Sequence, residues 1–258
     1  MNYLDKLFSL KGKIALVTGA CGGIGGALAD ALLKAKATVI LVDKNQQFLI
    51  DQKNSLKRTG LNAYEKCCDI TDLKQLDELV RYVKSVHQRI DILVNCAGIS
   101  FQSDGLEYPD EMWHQTMKVN LEAPFQLSKH MGKLMKKQGI GSIINITSIN
   151  AELGFTDNPA YIASKGGLKQ LTKSLAMDLG KFGVRANAIG PGYFRTQISE
   201  KSWNDLEKRK ERAETTLLNR WGPLDDLYGL VIFLASDASS YITGQDIYID
   251  GGFLTKGI

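Results

Sequence analysis

The sequence predicts an α/β fold: a single doubly wound domain in which seven parallel strands are wrapped by helices on both faces. Seven short apolar or β-branched runs recur along the 258 residues. They are Lys13–Val17, Thr38–Val42, Ala63–Cys68, Ile92–Asn95, Ser142–Ile146, Val184–Ile189 and Asp246–Ile249. Helix-like patterns fill the intervals, as a parallel sheet covered on both faces requires. No linker-like composition interrupts the alternation, and α/β units of this length are common, so residues 1–258 are read as one domain.

The first strand runs directly into Thr18-Gly19-Ala20-Cys21-Gly22-Gly23-Ile24-Gly25, and an amphipathic helical pattern follows from Gly26 to Lys34. Strand, glycine loop and helix start in this order let bare backbone N–H groups and the positive end of a helix dipole meet a pyrophosphate. The Gly-x-x-x-Gly-x-Gly spacing differs from the commoner Gly-x-Gly-x-x-Gly fingerprint. By itself it would also serve a tight turn.

The second strand ends at Asp43, at the distance from the loop where a carboxylate accepts hydrogen bonds from adenosine ribose hydroxyls and repels a 2′-phosphate. That points to NAD, with NADP the weaker expectation. Lys44 follows at once and offsets part of the repulsion.

Tyr161 and Lys165 stand four residues apart at the start of an apolar helical run, so they share one helix face. An ammonium near a phenol favours the phenolate, bringing a group of ordinary pKa about 10 toward neutral-pH proton exchange. Alone, such a pair is usually a solvated helix face; beside a dinucleotide loop it reads as a general acid/base.

With these parts together, the chain from about Leu10 to Gly252 resembles the short-chain dehydrogenase/reductase family, which implies a Rossmann-type domain. Thr18–Gly25 resembles the family's cofactor loop, with Gly19, Cys21, Gly22, Gly23 and Ile24 as contacts. Cys68-Asp69-Ile70-Thr71 resembles the segment whose aspartate sits by the adenine, which implicates Asp69 and Ile70. Asn95-Cys96-Ala97-Gly98 resembles the family's Asn-Asn-Ala-Gly strand end, with Cys96 as a departure and Asn95, Ala97 and Gly98 as contacts. The resemblance places the catalytic set on Asn120, Ser148, Tyr161 and Lys165. Pro191-Gly192-Tyr193-Phe194-Arg195-Thr196 resembles the segment that holds the nicotinamide carboxamide, through Pro191, Gly192, Phe194 and Thr196.

What this implies is interconversion of a secondary alcohol and a ketone: Tyr161 exchanges the hydroxyl proton, Ser148 holds the substrate oxygen, and Asn120 supports a water chain. Lys165 lowers the tyrosine's pKa and binds nicotinamide ribose hydroxyls. The chain looks most like members acting on sugar acids and polyols, the gluconate 5-dehydrogenase type. A 3-oxoacyl-carrier-protein reductase is the alternative within the family. A catalytically idle dinucleotide-binding sensor or scaffold is the alternative outside it.

The mixed-sign run Glu200–Arg212 falls after Thr196. Such a run is most often a solvated helix, but the family carries a mobile substrate lid at this place, so the resemblance implies a lid over residues 193–220, with one of Arg195, Arg209, Arg212 or Arg220 facing an anionic group. Apolar positions Leu127, Met131, Leu134, Leu168, Leu171 and Leu175, on helical segments Leu121–Met135 and Pro159–Leu179, exceed a single core-facing stripe; such helices pair across subunits in the family, so the resemblance implies a homotetramer or homodimer.

The net charge of +4 is too modest to argue for nucleic acid. No apolar run is long enough to span a membrane, and the first residues do not read as a secretory signal, so a cytoplasmic protein is expected. Cys21, Cys67, Cys68 and Cys96 lack metal-ligand spacing and read as reduced thiols with no metal.

Overall fold

In the computed structural model, which describes residues 3–57 and 61–256, helical segments separate every pair of successive strands. α1 (Tyr3–Phe8) precedes β1 (Ile14–Thr18), α2 (Gly23–Lys34), β2 (Thr38–Asp43), α3 (Gln46–Lys57) and β3 (Ala63–Cys67). α4 (Leu73–Tyr82), β4 (Ile92–Asn95), α5 (Asp110–Met117), α6 (Ala123–Gln138) and β5 (Gly141–Ile146) follow. The remainder is α7 (Pro159–Leu179), β6 (Val184–Pro191), α8 (Glu200–Asn204), α9 (Leu206–Glu214), α10 (Tyr228–Ala235), β7 (Asp246–Ile249) and α11 (Phe253–Lys256). The four outermost residues of the expected domain, 1–2 and 257–258, lie outside the described residues.

The seven strands form one sheet in the order β3-β2-β1-β4-β5-β6-β7, and every neighbouring pair is parallel. Alternate residues of each buried strand serve opposite layers, because side chains on a strand point to opposite faces in turn. Ala15, Val17, Val39 and Leu41 pack under Leu28 and Leu32 of α2 and Val231 and Leu234 of α10. Leu16, Ile40, Leu93 and Ile143 pack under Leu76 of α4, Leu127 and Met131 of α6 and Leu175 of α7. Each fully buried leucine contributes roughly 1.5–3 kcal/mol relative to exposure. A charge at Leu16 would unseat the second layer.

This packing corrects the basis of the expected assembly. Leu127, Met131, Leu168 and Leu175 are buried within the chain itself, and Leu134 and Leu171 pack against its core. The wide apolar stripe of α6 and α7 serves the sheet and the helix pair. The exposed large apolar residues on those helices are Phe125 and Met177.

β1 lies between β2 and β4, and the chain leaves it toward opposite edges of the sheet. Such a reversal opens a crevice beyond the carboxyl ends of the strands. The glycine loop after β1 and the segment after β4 flank it.

Candidate active site

The loop after β1 is shaped by close backbone approaches. Gly19 has φ +66°, and a Cβ there would lie 2.8 Å from the Cα of Ala97. A Cβ on Gly25 would lie 2.1 Å from the Gly19 carbonyl oxygen, so only glycine admits this turn. Gly22 precedes α2 in an extended conformation, and no side chain caps the helix start. The result is the bare, N–H-lined cradle that suits a pyrophosphate. Thr18, which sequence reasoning did not single out, ties the two flanking loops: its hydroxyl accepts from the N–H groups of Cys96 at 3.0 Å and Ala97 at 3.2 Å.

Asp43 ends β2 beside this cradle, accepting from the Cys21 N–H and the Asn45 N–H, each at 3.1 Å. Lys44 is exposed. Burial first, and then the neighbouring Asp43 carboxylate, pushes the Cys21 thiol up to about 12. Asp69 folds back on Thr71, accepting from its N–H at 2.9 Å and its hydroxyl at 2.7 Å, while Ile70 is buried in the second layer. Thr196 reaches the loop from the far side, its Cγ2 3.4 Å from where a Cβ on Gly23 would stand. Pro191 and Gly192 close β6, with the Gly192 N–H bonded to the Ile249 carbonyl at 2.9 Å.

Two residues expected to face the cofactor turn their side chains elsewhere. The Asn95 side chain points inward, donating to Asn145 Oδ1 at 2.8 Å and Ser128 Oγ at 3.1 Å. The Phe194 ring is buried in the first layer against Gly222. Both can offer only main-chain groups to the crevice.

Ser148, Tyr161, Lys165 and Asn120 converge at the carboxyl end of β5. Ser148 caps a short 3₁₀ turn, Ile149–Ala151, and its hydroxyl accepts from the Asn150 N–H at 3.2 Å. It also donates to Asn150 Oδ1 at 3.1 Å. Lys165, one turn along α7 from Tyr161, donates to the Ile146 carbonyl at 2.6 Å, its Nζ 5.5 Å from the centre of the Tyr161 ring. A Cβ on Gly98 would stand 3.5 Å from Asn120 Oδ1 and 3.7 Å from Lys165 Nζ, so Gly98 lies against both.

Burial dominates the electrostatics. It raises the Tyr161 phenol above its ordinary value, against the opposing hydrogen bond from Ser148. It pushes Lys165 down to about 8, against the opposing influence of Cys96 and Asp246. Burial thus opposes the charged form of both groups and sets the direction of both shifts. Cys96 is itself pushed up to about 12 by burial, partly countered by Lys165.

Asn120 sits in a π-helical turn, Lys118–Glu122, between α5 and α6. Its side chain is fully engaged: Oδ1 accepts from the Ile99 N–H at 2.9 Å, and Nδ2 donates to the Ile99 carbonyl at 2.9 Å and to Ser164 Oγ at 3.1 Å. Its carbonyl lacks an α-helical partner, because the residue four positions on is Pro124 and proline has no N–H.

The expected lid segment carries α8 and α9 and is held by aromatic rings. Tyr193, Trp203 and Trp221 form a chain with centroid separations of 5.5 and 5.3 Å, and Phe253 adds to Tyr193 at 5.3 Å. Phe155, from the loop after Ser148, stacks on Phe253. The Arg195 and Arg209 guanidiniums lie over Trp203, and that of Arg212 lies over Tyr193. Arg220 instead pairs with Asp226 at 2.7 Å. The segment is thus anchored by rings that the charge-rich reading of its sequence underweighted.

Comparison with known proteins agrees with this geometry. Residues 19–254 match the family profile described as enoyl-(acyl carrier protein) reductase. The chain belongs to the short-chain dehydrogenase/reductase family. It is 37% identical over 252 residues to the gluconate 5-dehydrogenase of Gluconobacter oxydans, covering 98% of both chains. It is 38% identical to the 2-dehydro-3-deoxy-D-gluconate 5-dehydrogenase of Pseudoalteromonas atlantica, covering 96% of this chain and 98% of that one. A crystal structure of the Burkholderia cenocepacia gluconate 5-dehydrogenase, in complex with NADP and tartrate, superposes with a TM-score of 0.95 at 33% identity, covering 98% of this chain and 99% of that one. The protein is an NAD(P)-dependent oxidoreductase acting on CH–OH groups, which sets aside the idle-module alternative. Among the described residues no helix is long and apolar enough to cross a membrane, and no side-chain cluster suits a metal ion.

Proposed function

We propose that the protein interconverts a secondary alcohol and a ketone on a sugar acid or related polyol, with NAD(H) preferred. The observation that carries the reaction is the convergence of Ser148, Tyr161 and Lys165 beside Gly98, at the mouth of a glycine cradle. When bound, the nicotinamide dinucleotide supplies a hydride acceptor or donor. The chain's own residues do the rest: Tyr161 moves the hydroxyl proton, and Ser148 orients the substrate oxygen. Lys165 binds ribose hydroxyls, and Asn120 supports the water chain that connects to solvent.

For the cradle we assign Gly19, Cys21, Gly22, Gly23 and Ile24 to the pyrophosphate and Asp43 and Lys44 to the adenosine ribose. Asp69 and Ile70 border the adenine. Ala97, Gly98 and the main chain of Asn95 line the ribose path, and Pro191, Gly192, Thr196 and the main chain of Phe194 hold the nicotinamide end. Asp43 favours NAD by repelling a 2′-phosphate.

The sugar-acid reading rests on relatives of that description and on Arg195, Arg209 and Arg212, which no carboxylate pairs among the described residues. Residues 193–220 would close as a lid over the substrate. A homotetramer or homodimer in the cytoplasm, where its four free thiols stay reduced, completes the proposal. Phe125 and Met177 are the exposed apolar groups on the helices that would pair.

An NADH absorbance assay over sugar acids, neutral polyols and 3-oxoacyl thioesters tests the reading. Turnover confined to the thioesters would replace it with the acyl-reductase alternative.

A further inference from the structure

Beside Ser148 lies a chain of polar groups that the reaction as described does not use. The hydroxyl of Thr147, its immediate neighbour, faces both Asp246 Oδ1 at 2.8 Å and the Ile189 carbonyl at 3.1 Å, with the shorter contact to the carboxyl. Asp246 Oδ2 lies 2.8 Å from the Tyr248 hydroxyl, and that hydroxyl lies 2.9 Å from Glu152 Oε1. Glu152 in turn pairs with Lys169, one turn beyond Lys165 on α7. The chain leaves the Ser148 loop at residue 147 and returns to it at residue 152, gripping the serine from both sides through β7.

The contacts do not balance if both carboxyl groups are ionised. A phenol has one hydrogen, and carboxylate oxygens only accept. Tyr248 can satisfy one of its two carboxyl neighbours; the other would face an oxygen lone pair at hydrogen-bond distance, a repulsive contact in a partly buried site. A second proton resolves this. The Lys169 ammonium, by its hydrogen bond, holds the exposed Glu152 carboxyl below its ordinary range, so Glu152 is the acceptor. Asp246 is the more buried of the two, and burial raises its carboxyl.

We propose that Asp246 is held as a neutral carboxylic acid, donating from Oδ2 to the Tyr248 oxygen while Tyr248 donates to Glu152, and that this ordered chain makes Asp246 and Tyr248 positioning residues for Ser148. The order is directional: acid to phenol, phenol to carboxylate, with Thr147 donating to the acid's carbonyl oxygen. The positioning role rests on the proposed catalytic role of Ser148; the proton on Asp246 does not.

Asparagine reproduces a neutral acid's pattern, with one acceptor for Thr147 and one donor for Tyr248. Asp246→Asn should therefore restore the turnover that Asp246→Leu loses. Tyr248→Phe, which keeps the ring packed over Gly190, should lower kcat about tenfold and leave the NADH dissociation constant within twofold. Infrared spectroscopy of the ligand-free protein at neutral pH should show a protonated-carboxyl band that Asp246→Asn removes. Asp246→Asn as damaging as Asp246→Leu, or no such band, overturns the neutral acid. Unchanged kcat in Tyr248→Phe overturns the positioning role. Full turnover in Ser148→Ala with the band intact would instead remove the catalytic reading of Ser148, and the positioning role with it, leaving the protonated acid standing.

Discussion

The ammonium of Lys165 donates to the carbonyl of Ile146, the last residue of β5, at 2.6 Å. A lysine that is 4% exposed is thereby pinned between its own helix and the strand that delivers Ser148. The site holds a costly group in place before any ligand arrives.

That burial predicts a trade of stability against function. With Lys165 at about 8 in the folded chain and an ordinary value of 10.5, the unfolded chain binds the extra proton between these limits. Stability therefore rises with pH across that window, and the penalty is fully present below it. Lys165→Met should raise neutral-pH stability by about 2 kcal/mol after the lost hydrogen bond is subtracted, and abolish turnover. Differential melting at pH 7 and pH 10 checks this: the gain should shrink at the higher pH, and a variant less stable than wild type at pH 7 would refute it.

Tyr161→Phe should leave NADH binding nearly intact and lower kcat by about 10²–10⁴-fold, since the ring still packs and only the proton-transfer oxygen is gone. Fluorescence titration and steady-state rates on the best substrate separate the two. Retention of most of the wild-type rate would exclude Tyr161 as the acid/base.

Asp43→Ser should narrow the preference for NAD(H) over NADP(H) about tenfold, or 1.4 kcal/mol, by removing the carboxylate a 2′-phosphate meets. Calorimetry of both cofactors measures it. Equal affinities in the unmutated protein would show that exposed Lys44 already cancels the repulsion.

The arginines of the proposed lid should make separable contributions. Arg212→Ala should raise KM for a carboxylated substrate about tenfold and leave a neutral polyol unaffected. Trp203→Ala strips the ring on which Arg195 and Arg209 lie, and should accelerate amide exchange across residues 197–218 in the ligand-free protein. Equal KM effects on both substrates would assign Arg212 to holding the lid rather than reading charge.

Light scattering tests assembly: a mass near one chain's 28.4 kDa at micromolar concentration would refute a dimer or tetramer.

The strands were legible because buried parallel strands demand continuous Val, Ile and Leu, and the cradle because close backbone approach at Gly19 and Gly25 demands glycine. Tyr161 and Lys165 were legible because helical spacing fixes their common face. The Asp246–Tyr248–Glu152 chain was not, since it exists only where β7 meets the loop after Ser148. Nor could sequence reveal that Asn120 uses up its amide on Ile99, or that the leucines of α6 and α7 find partners inside their own chain. Charge density on α9 likewise hid the role of Trp203 and Trp221, which are single residues with no periodic signature.

The Thr18 hydroxyl bonds to backbone N–H groups 78 and 79 residues downstream, so the cradle is a product of late chain closure. A nascent chain that has completed β1 and α2 has the glycines but not the wall that Cys96 and Ala97 supply. Parallel pairing across such separations is slow to form. Dinucleotide binding should thus report completed folding rather than guide its early steps, and saturating cofactor should slow unfolding while leaving the first refolding phase unchanged.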